Sequence, residues 1–502
     1  MKPVAFAACL AVFPALAGAG SPTFQLQPDA LPVEHIYSGG WEHFVGGGVA
    51  VFDCNGDGRP DLAAAGGSEP ARLFVNQTLG EEIRFTLGTL PDLLGTTGLY
   101  PLDIDGDGPL DLVVLRVGEN QLLKGDGACG FGDNSEAWGF DGGNAWSTAF
   151  SATWESGRDL PTLAIGNYVD RTDPEGPFGA CDDNALYRAE GGRYGPPVPI
   201  TPGWCALSML ISDWQRRGTP ELRISNDRHY YVLGGFEEMW RLDPLAPRTE
   251  ADEWEKVSLW GMGIASADIT GDGLPEVMLT SMGDQLLQFN DGENWRNAPY
   301  EVGAAAQRPY QGDDGRPSTG WHAEFADVDN DTRLDLFIAK GNVDQMPSNA
   351  MKDPNNLLMQ TPEGRFEETG GPAGIADEAR SRGAALADFD GDGRLDLVVS
   401  ARRAPLRVWR NETEGAGNWL GIEPRTDGPN TRAVGAWIEL RAEAGTQVRE
   451  ITVGGGHAGG QAGPIHFGLG EAVTAEMRVI WPHGTAGQWQ PVEVNRVIRP
   501  RP

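Results

Sequence analysis

Four aspartates crowd into the nine residues DFDGDGRLD, at Asp388, Asp390, Asp392 and Asp396. Like charges this close repel, so the stretch is either a solvated turn or a cradle for something positive. The spacing returns four more times: at Asp327, Asp329, Asp331 and Asp335; at Asp268, Thr270, Asp272 and Glu276; at Asp103, Asp105, Asp107 and Asp111; and at Asp53, Asn55, Asp57 and Asp61. Every copy has oxygen-bearing side chains at positions 1, 3, 5 and 9, and all but the Asp327 copy have glycine at position 6.

A hard cation such as calcium takes about six to eight oxygens at about 2.3–2.6 Å, and a tight loop can aim residues 1, 3 and 5 at one centre. Glycine at position 6 permits the sharp turn this needs. The last acid falls at position 9, and LDLVV or LDLFI follows, rich in β-branched and aromatic residues, so the loop should enter a strand rather than a helix. A solvated Asp-Gly hairpin is the bland alternative for any one copy. Five copies at a regular period favour calcium, at about five sites. Thr332 occupies position 6 of the Asp327 copy, and a β-branched residue resists positive φ, so a distorted turn is expected there. Thr270 and Glu276 should weaken their own site.

These loops need a scaffold that repeats with them. Eroded copies start at Asp213, where Gln215 and Arg217 oppose a metal, and at Thr153, where most carboxylates are gone; neither is expected to bind calcium. With them, seven units start at residues 53, 103, 153, 213, 268, 327 and 388. Short apolar segments such as ARLFVNQT and NNLLMQTPEGRF recur between the loops, so a unit reads as loop, strand, turn, strand and then a variable connection. Such units arranged radially make a β-propeller with little exposed edge; an open solenoid is the rival. The expected fold is all-β: a seven-bladed propeller with integrin-like calcium loops over residues 20–414 and a small C-terminal β-sandwich over residues 415–502.

The tail supports that second unit. GAWIELRA alternates Ala436, Ile438 and Leu440 with Trp437, Glu439 and Arg441, the pattern of a half-buried strand. VGGGHAGGQAG reads as a glycine-rich flexible connection, since no strand-to-helix setting makes it a phosphate cradle. Composition bounds the rest. Residues 1–19 place one Lys before an apolar run ending in Ala17-Gly18-Ala19, as in a secretory signal peptide. No later segment is apolar enough to span a membrane. Export would leave Cys54, Cys129, Cys181 and Cys205 in an oxidising compartment, where three pairings are open; proximity in the chain favours Cys181 with Cys205. A formal net charge of -33 excludes a nucleic-acid partner.

The loop and its LYRAEGG-type strand resemble the FG-GAP/VCBS repeat of integrin-like propellers. The tail, with HFGLG before VIWPHG, resembles the ASPIC/UnbV domain. Together they are similar to the bacterial cartilage-acidic-protein-like family of secreted proteins, which often carries Tyr-Leu-Ser-Gln where this chain has His457 to Gln461. Family members often carry two cysteines in the region around Cys181, where this chain has one. Function is expected to be that of a secreted or periplasmic calcium-binding scaffold for an unknown extracellular or envelope protein or glycan. The alternative is a calcium-dependent polysaccharide lyase or sugar dehydratase, for which Arg228 with His229, Tyr230 and Tyr231, and His322, are the only bases in view. No nucleophile elbow, zinc motif or cofactor fingerprint appears. With 16 Trp, a lectin is a third reading.

Overall fold

Apolar strands broken by Gly-rich turns can bury both faces only by stacking sheets, and this governs the architecture. The computed structural model describes residues 20–174, 179–227, 234–311 and 315–502; the expected signal peptide lies outside them. Among the described residues seven sheets follow one another along the chain, each of four antiparallel strands, the first extended by a fifth strand that pairs in parallel. Their first strands are Val49–Phe52, Thr96–Leu102, Ser147–Thr153, Ala206–Ser212, Gly261–Ala267, Gly320–Ala326 and Arg380–Ala387. The seventh sheet takes its fourth strand from the start of the chain, with Phe24–Leu26 pairing antiparallel to Trp409–Asn411. An apolar layer separates each sheet from the next. The first and second enclose Phe52, Leu73, Leu99 and Leu112, and the fifth and sixth enclose Met278, Leu287, Leu336 and Phe366. The seventh and first share Phe389, Val398, Val51 and Phe74, so the succession of sheets returns on itself. The fold is all-β and propeller-like.

In five sheets the acidic loop joins the first strand to the second, and its ninth residue opens that second strand. Asp396 starts Asp396–Arg402 and pairs with Ala387; Asp335 likewise pairs with Ala326. The disulfides are Cys54–Cys129, tying the first acidic loop to the second sheet, and Cys181–Cys205, the pair nearest in the chain.

The tail forms two further sheets. One holds Asn418–Ile422, Ile465–Gly470 and Arg496–Ile498; the other holds Gly445–Glu450, Trp437–Ala442, Thr474–Ile480 and Gln490–Glu493. Leu420, Ile438, Leu440, Phe467, Met477 and Trp481 are buried in a core of their own. The glycine-rich stretch is not a loose connection, which corrects the sequence expectation. It runs along the innermost strands, bridging Val453 to Ala152, Gly454 to Leu210, Gly456 to Ile264 and Gly459 to Leu99, and then pairs Gln461 and Ala462 in parallel with Val51 and Phe52. One segment thus touches the inner strands of five sheets. Glycine is required because backbone meets backbone: a Cβ on Gly459 would sit 2.0 Å from the Val49 carbonyl oxygen, and one on Gly48 1.7 Å from that of Ala458. His457 is fully buried in this stretch, its Nδ1 against the Met262 carbonyl and its Nε2 accepting the Gly46 N–H at 3.1 Å. Burial pushes its imidazole down to about 3, so it is neutral.

Candidate metal-binding loops

Each acidic loop is shaped by its own carboxylates. The first aspartate folds the turn by accepting backbone N–H groups: Asp388 takes those of Gly391, Asp392 and Gly393, and Asp53 those of Gly56, Asp57 and Gly58. Positions 4 and 6 both turn left-handed, as with Gly391 at φ 76° and Gly393 at φ 88°. Thr332 does the same at φ 85° with Asn330 at 57°, so the expected distortion at the Asp327 copy does not occur; the threonine accepts the glycine conformation. Such strain in a β-branched residue costs about 1–3 kcal/mol.

The ninth acid has a second task that the motif does not advertise. Its carboxylate ties the loop to the third strand of its sheet. Asp61 accepts the N–H of Cys54 and of Asn76, Asp111 those of Ile104 and Gly125, Asp335 those of Val328 and Gln360, and Asp396 those of Phe389 and Asn411. Glu276 reaches Ile269 at 3.0 Å.

Position 1, 3 and 9 carboxylates converge in three loops. Asp103, Asp105 and Asp111, then Asp327, Asp329 and Asp335, then Asp388, Asp390 and Asp396, each present oxygens within 4.8 Å of one another. Asp61 instead clusters with Cys54 and Cys129, whose sulfurs are bonded to each other. At the first loop Asn55 stands at position 3, where its amide donates to Asp57; at the fifth, Thr270 and Asp272 are exposed beside buried Asp268 and Glu276. At position 5, Asp107 is paired with Lys124, Asp331 with Arg333 and Asp392 with Arg394.

These groups fit a cation. Asp103 Oδ1, Asp105 Oδ1 and Asp329 Oδ1 are buried with no hydrogen-bond partner among the described residues, a state that costs free energy unless a positive centre meets them. Burial, reinforced by neighbouring acids, pushes Asp61, Asp111 and Asp388 up to about 7 and Glu276 to about 8; it holds Asp335 and Asp396 well above the carboxylate range. Oxygen-only donors at this density suit calcium rather than a soft metal.

The tail sits against these same loops. Thr431 Oγ1 donates to Asp103 Oδ2 at 2.5 Å, Asn330 Oδ1 lies 2.7 Å from His466 Nε2, and Glu450 accepts the Asp213 N–H at 2.8 Å. Arg449 is buried where both Asp268 and Asp327 feel its charge. None of these tail residues lies in the repeat, so the motif could not reveal them.

The bases considered for catalysis fare differently. His322 is buried and its Nδ1 accepts the backbone N–H of His457 at 3.2 Å, so it supports the glycine-rich stretch. Arg228, His229, Tyr230 and Tyr231 lie outside the described residues.

The FG-GAP-like repeat family matches residues 53–114 and 327–399, the FG-GAP repeat matches 381–418, and the ASPIC and UnbV family matches 426–500. The chain is 32% identical to cartilage acidic protein 1 of Homo sapiens over 163 residues, which is 32% of this chain and 24% of that protein. Against the Xenopus tropicalis protein it is 29% identical over 232 residues, 45% of this chain and 34% of the other. The matched stretch thus spans about a quarter to a third of these relatives. Among solved structures, BBS1N in complex with ARL6DN aligns with a TM-score of 0.44 at 9% identity, covering 75% of this chain and 94% of that one. The BP39L lectin from Burkholderia pseudomallei aligns at 0.43 and 11%, covering 73% and 96%. Likeness this distant does not bear on function.

Proposed function

Because the chain is an FG-GAP-repeat protein with a C-terminal ASPIC and UnbV domain, we propose that it is a secreted or periplasmic, seven-bladed calcium-stapled propeller over residues 20–414, with residues 415–502 as a β-sandwich docked on it, serving as a binding scaffold. The observation that supports the calcium reading is the set of buried, partnerless carboxylate oxygens in two of the three convergent triads, at Asp103, Asp105 and Asp329. Asp103, Asp105 and Asp111 would hold one ion, Asp327, Asp329 and Asp335 a second, and Asp388, Asp390 and Asp396 a third. The first and fifth loops supply weaker sets through Asn55 and Thr270. A bound ion supplies charge neutralisation, drawing the loop and the start of its strand into one rigid corner.

The scaffold reading rests on where the chain is long. The acidic loops and the tail share one side of the sheets. On the other side run the longer connections, whose described residues include 27–48, 168–174, 179–183, 298–311, 315–319 and 341–355, and long loops on a rigid framework are where recognition concentrates. The inner strands are occupied by the Val453–Ala462 stretch, which leaves the outer loops for a protein or glycan partner. No helix among the described residues is long and apolar enough to cross a membrane.

Equilibrium dialysis with calcium tests the site assignment. Asp390→Ala should lower the number of bound ions by one while the circular dichroism spectrum stays that of the wild type. An unchanged stoichiometry rejects the assignment.

A further inference from the structure

The strand register exposes a position that the acidic motif does not contain. Residue 10 of each loop pairs with a third-strand residue: Leu62 with Phe74, Leu112 with Leu123, Val277 with Gln288, Leu336 with Leu358 and Leu397 with Trp409. The next residue on that strand differs between the sheets. It is Val75, Phe289 and Met359 in the first, fifth and sixth sheets, but Lys124 in the second and Arg410 in the seventh.

Both basic side chains reach the acids at positions 3 and 5. Lys124 Nζ lies 2.7 Å from Asp107 Oδ2 and also donates to Asp105. Arg410 Nε donates to Asp390 Oδ2 at 2.6 Å, and its Nη2 to Asp392 Oδ2 at 3.2 Å. In the second loop Asp103 Oδ1 and Asp105 Oδ1 remain buried and partnerless, so the internal cation answers only part of the charge. Arg410 is largely buried, so its attraction to the acids is poorly screened.

We propose that Lys124 and Arg410 are built-in competitors of calcium, making the second and seventh loops a weaker class of site that fills only when the ion draws the position 3 carboxylate, Asp105 or Asp390, away from a protein cation. The inference rests on the calcium reading above. A carboxylate oxygen facing an ammonium or guanidinium is less available to a metal, and the displaced cation then lies close to the ion it yields to. A basic residue that oriented ligands from behind would instead strengthen binding, so the sign of the effect distinguishes the two roles.

The experiment is calorimetric titration of the full chain with calcium chloride, alongside thermal unfolding in chelator. Lys124→Met and Arg410→Met should each tighten one site by about tenfold. Each should also lower the melting temperature in chelator, because the metal-free loop loses its counter-ion. The reciprocal Val75→Lys should weaken one site, which keeps the test open should an arginine variant fold poorly. If the wild-type chain binds calcium but neither Met variant gains affinity, or affinity falls, the competitor role is overturned while the calcium reading stands. If the wild type binds no calcium, both fall.

Discussion

The acidic loops of the second, sixth and seventh sheets and the corresponding corners of the third and fourth answer the same electrostatic demand in different ways. In the third sheet Glu155 accepts from Arg158 at 3.1 Å and from Arg188 at 2.7 and 2.8 Å, and these partners hold its carboxyl below the usual range. In the fourth, Glu221 accepts from Trp214 and from Arg248, each at 2.8 Å. The Asp213 turn still folds as its acid-rich counterparts do, with Arg217 and Gly218 N–H groups donating to Asp213. The backbone of the corner therefore does not depend on a metal. What differs is the balance of charge: arginine meets the single acids Glu155 and Glu221 directly, whereas in the acidic loops several carboxyls outnumber the nearby Lys124, Arg333, Arg394 and Arg410, and burial and repulsion push Asp111 and Asp388 upward. Under the calcium reading proposed above, the raised carboxyls of the acidic loops are where an outside cation would act, whereas arginine already meets Glu155 and Glu221.

The largest expected effect comes from removing that outside cation. Extracellular calcium sites bind with Kd of about 10⁻⁴–10⁻³ M, so at about 1 mM calcium each contributes roughly 0.4–1.4 kcal/mol, and five about 2–7 kcal/mol. Calorimetry in excess chelator should show a melting temperature lower by about 5 °C or more; an unmoved transition would erase the distinction between the two kinds of corner. The arginine corners supply the converse. Arg188→Ala should cost about 1–3 kcal/mol by leaving Glu155 half-buried without its bidentate partner. Unlike Asp390→Ala, it should cost the same in calcium and in chelator, and a calcium-dependent cost would contradict the assignment.

Protons give a finer probe. Asp61, Asp111 and Asp388 titrate near 7 in the folded chain against about 4 when unfolded. The fold therefore binds more protons than the unfolded chain between those values, and metal-free stability should rise as pH falls from about 8 toward 5, by at most about 1.4 kcal/mol per carboxyl per pH unit. With calcium present the proton competes with the ion, so the gap between calcium and chelator melts should narrow over the same window. A gap that widens toward low pH would break the argument. The smallest effect belongs to Thr332→Gly, which relieves the left-handed threonine and should raise stability by about 1 kcal/mol, less the entropy glycine regains on unfolding.

Much of this was legible in the sequence because the acidic repeat is local: nine residues carry both the turn and its ligands, and their period announces a repeating sheet. The alternation in GAWIELRA marked a buried strand for the same reason, since Ile438 and Leu440 sit in the tail core. What escaped was non-local. Lys124 and Arg410 meet their acids only through strand register, and Thr431 reaches Asp103 across more than three hundred residues. The glycine-rich stretch misled because glycine signals freedom when read along the chain, whereas here it signals crowding, its missing side chains leaving room for the carbonyls of Val49 and Ala458. The turn at Thr332 was misjudged because neighbouring hydrogen bonds to Asp327 overrule a residue's own preference.

Two seams of the molecule involve the chain's extremes. Phe24–Leu26 completes its sheet only with Trp409–Asn411, and Val51 and Phe52 take their parallel partners only from Gln461 and Ala462. Contacts of such sequence separation form late and slowly. The first sheet thus gains its parallel strand only from residues 461–462, so a chain shortened to end before Gln461 should lose that pairing together with the strands of the two tail sheets.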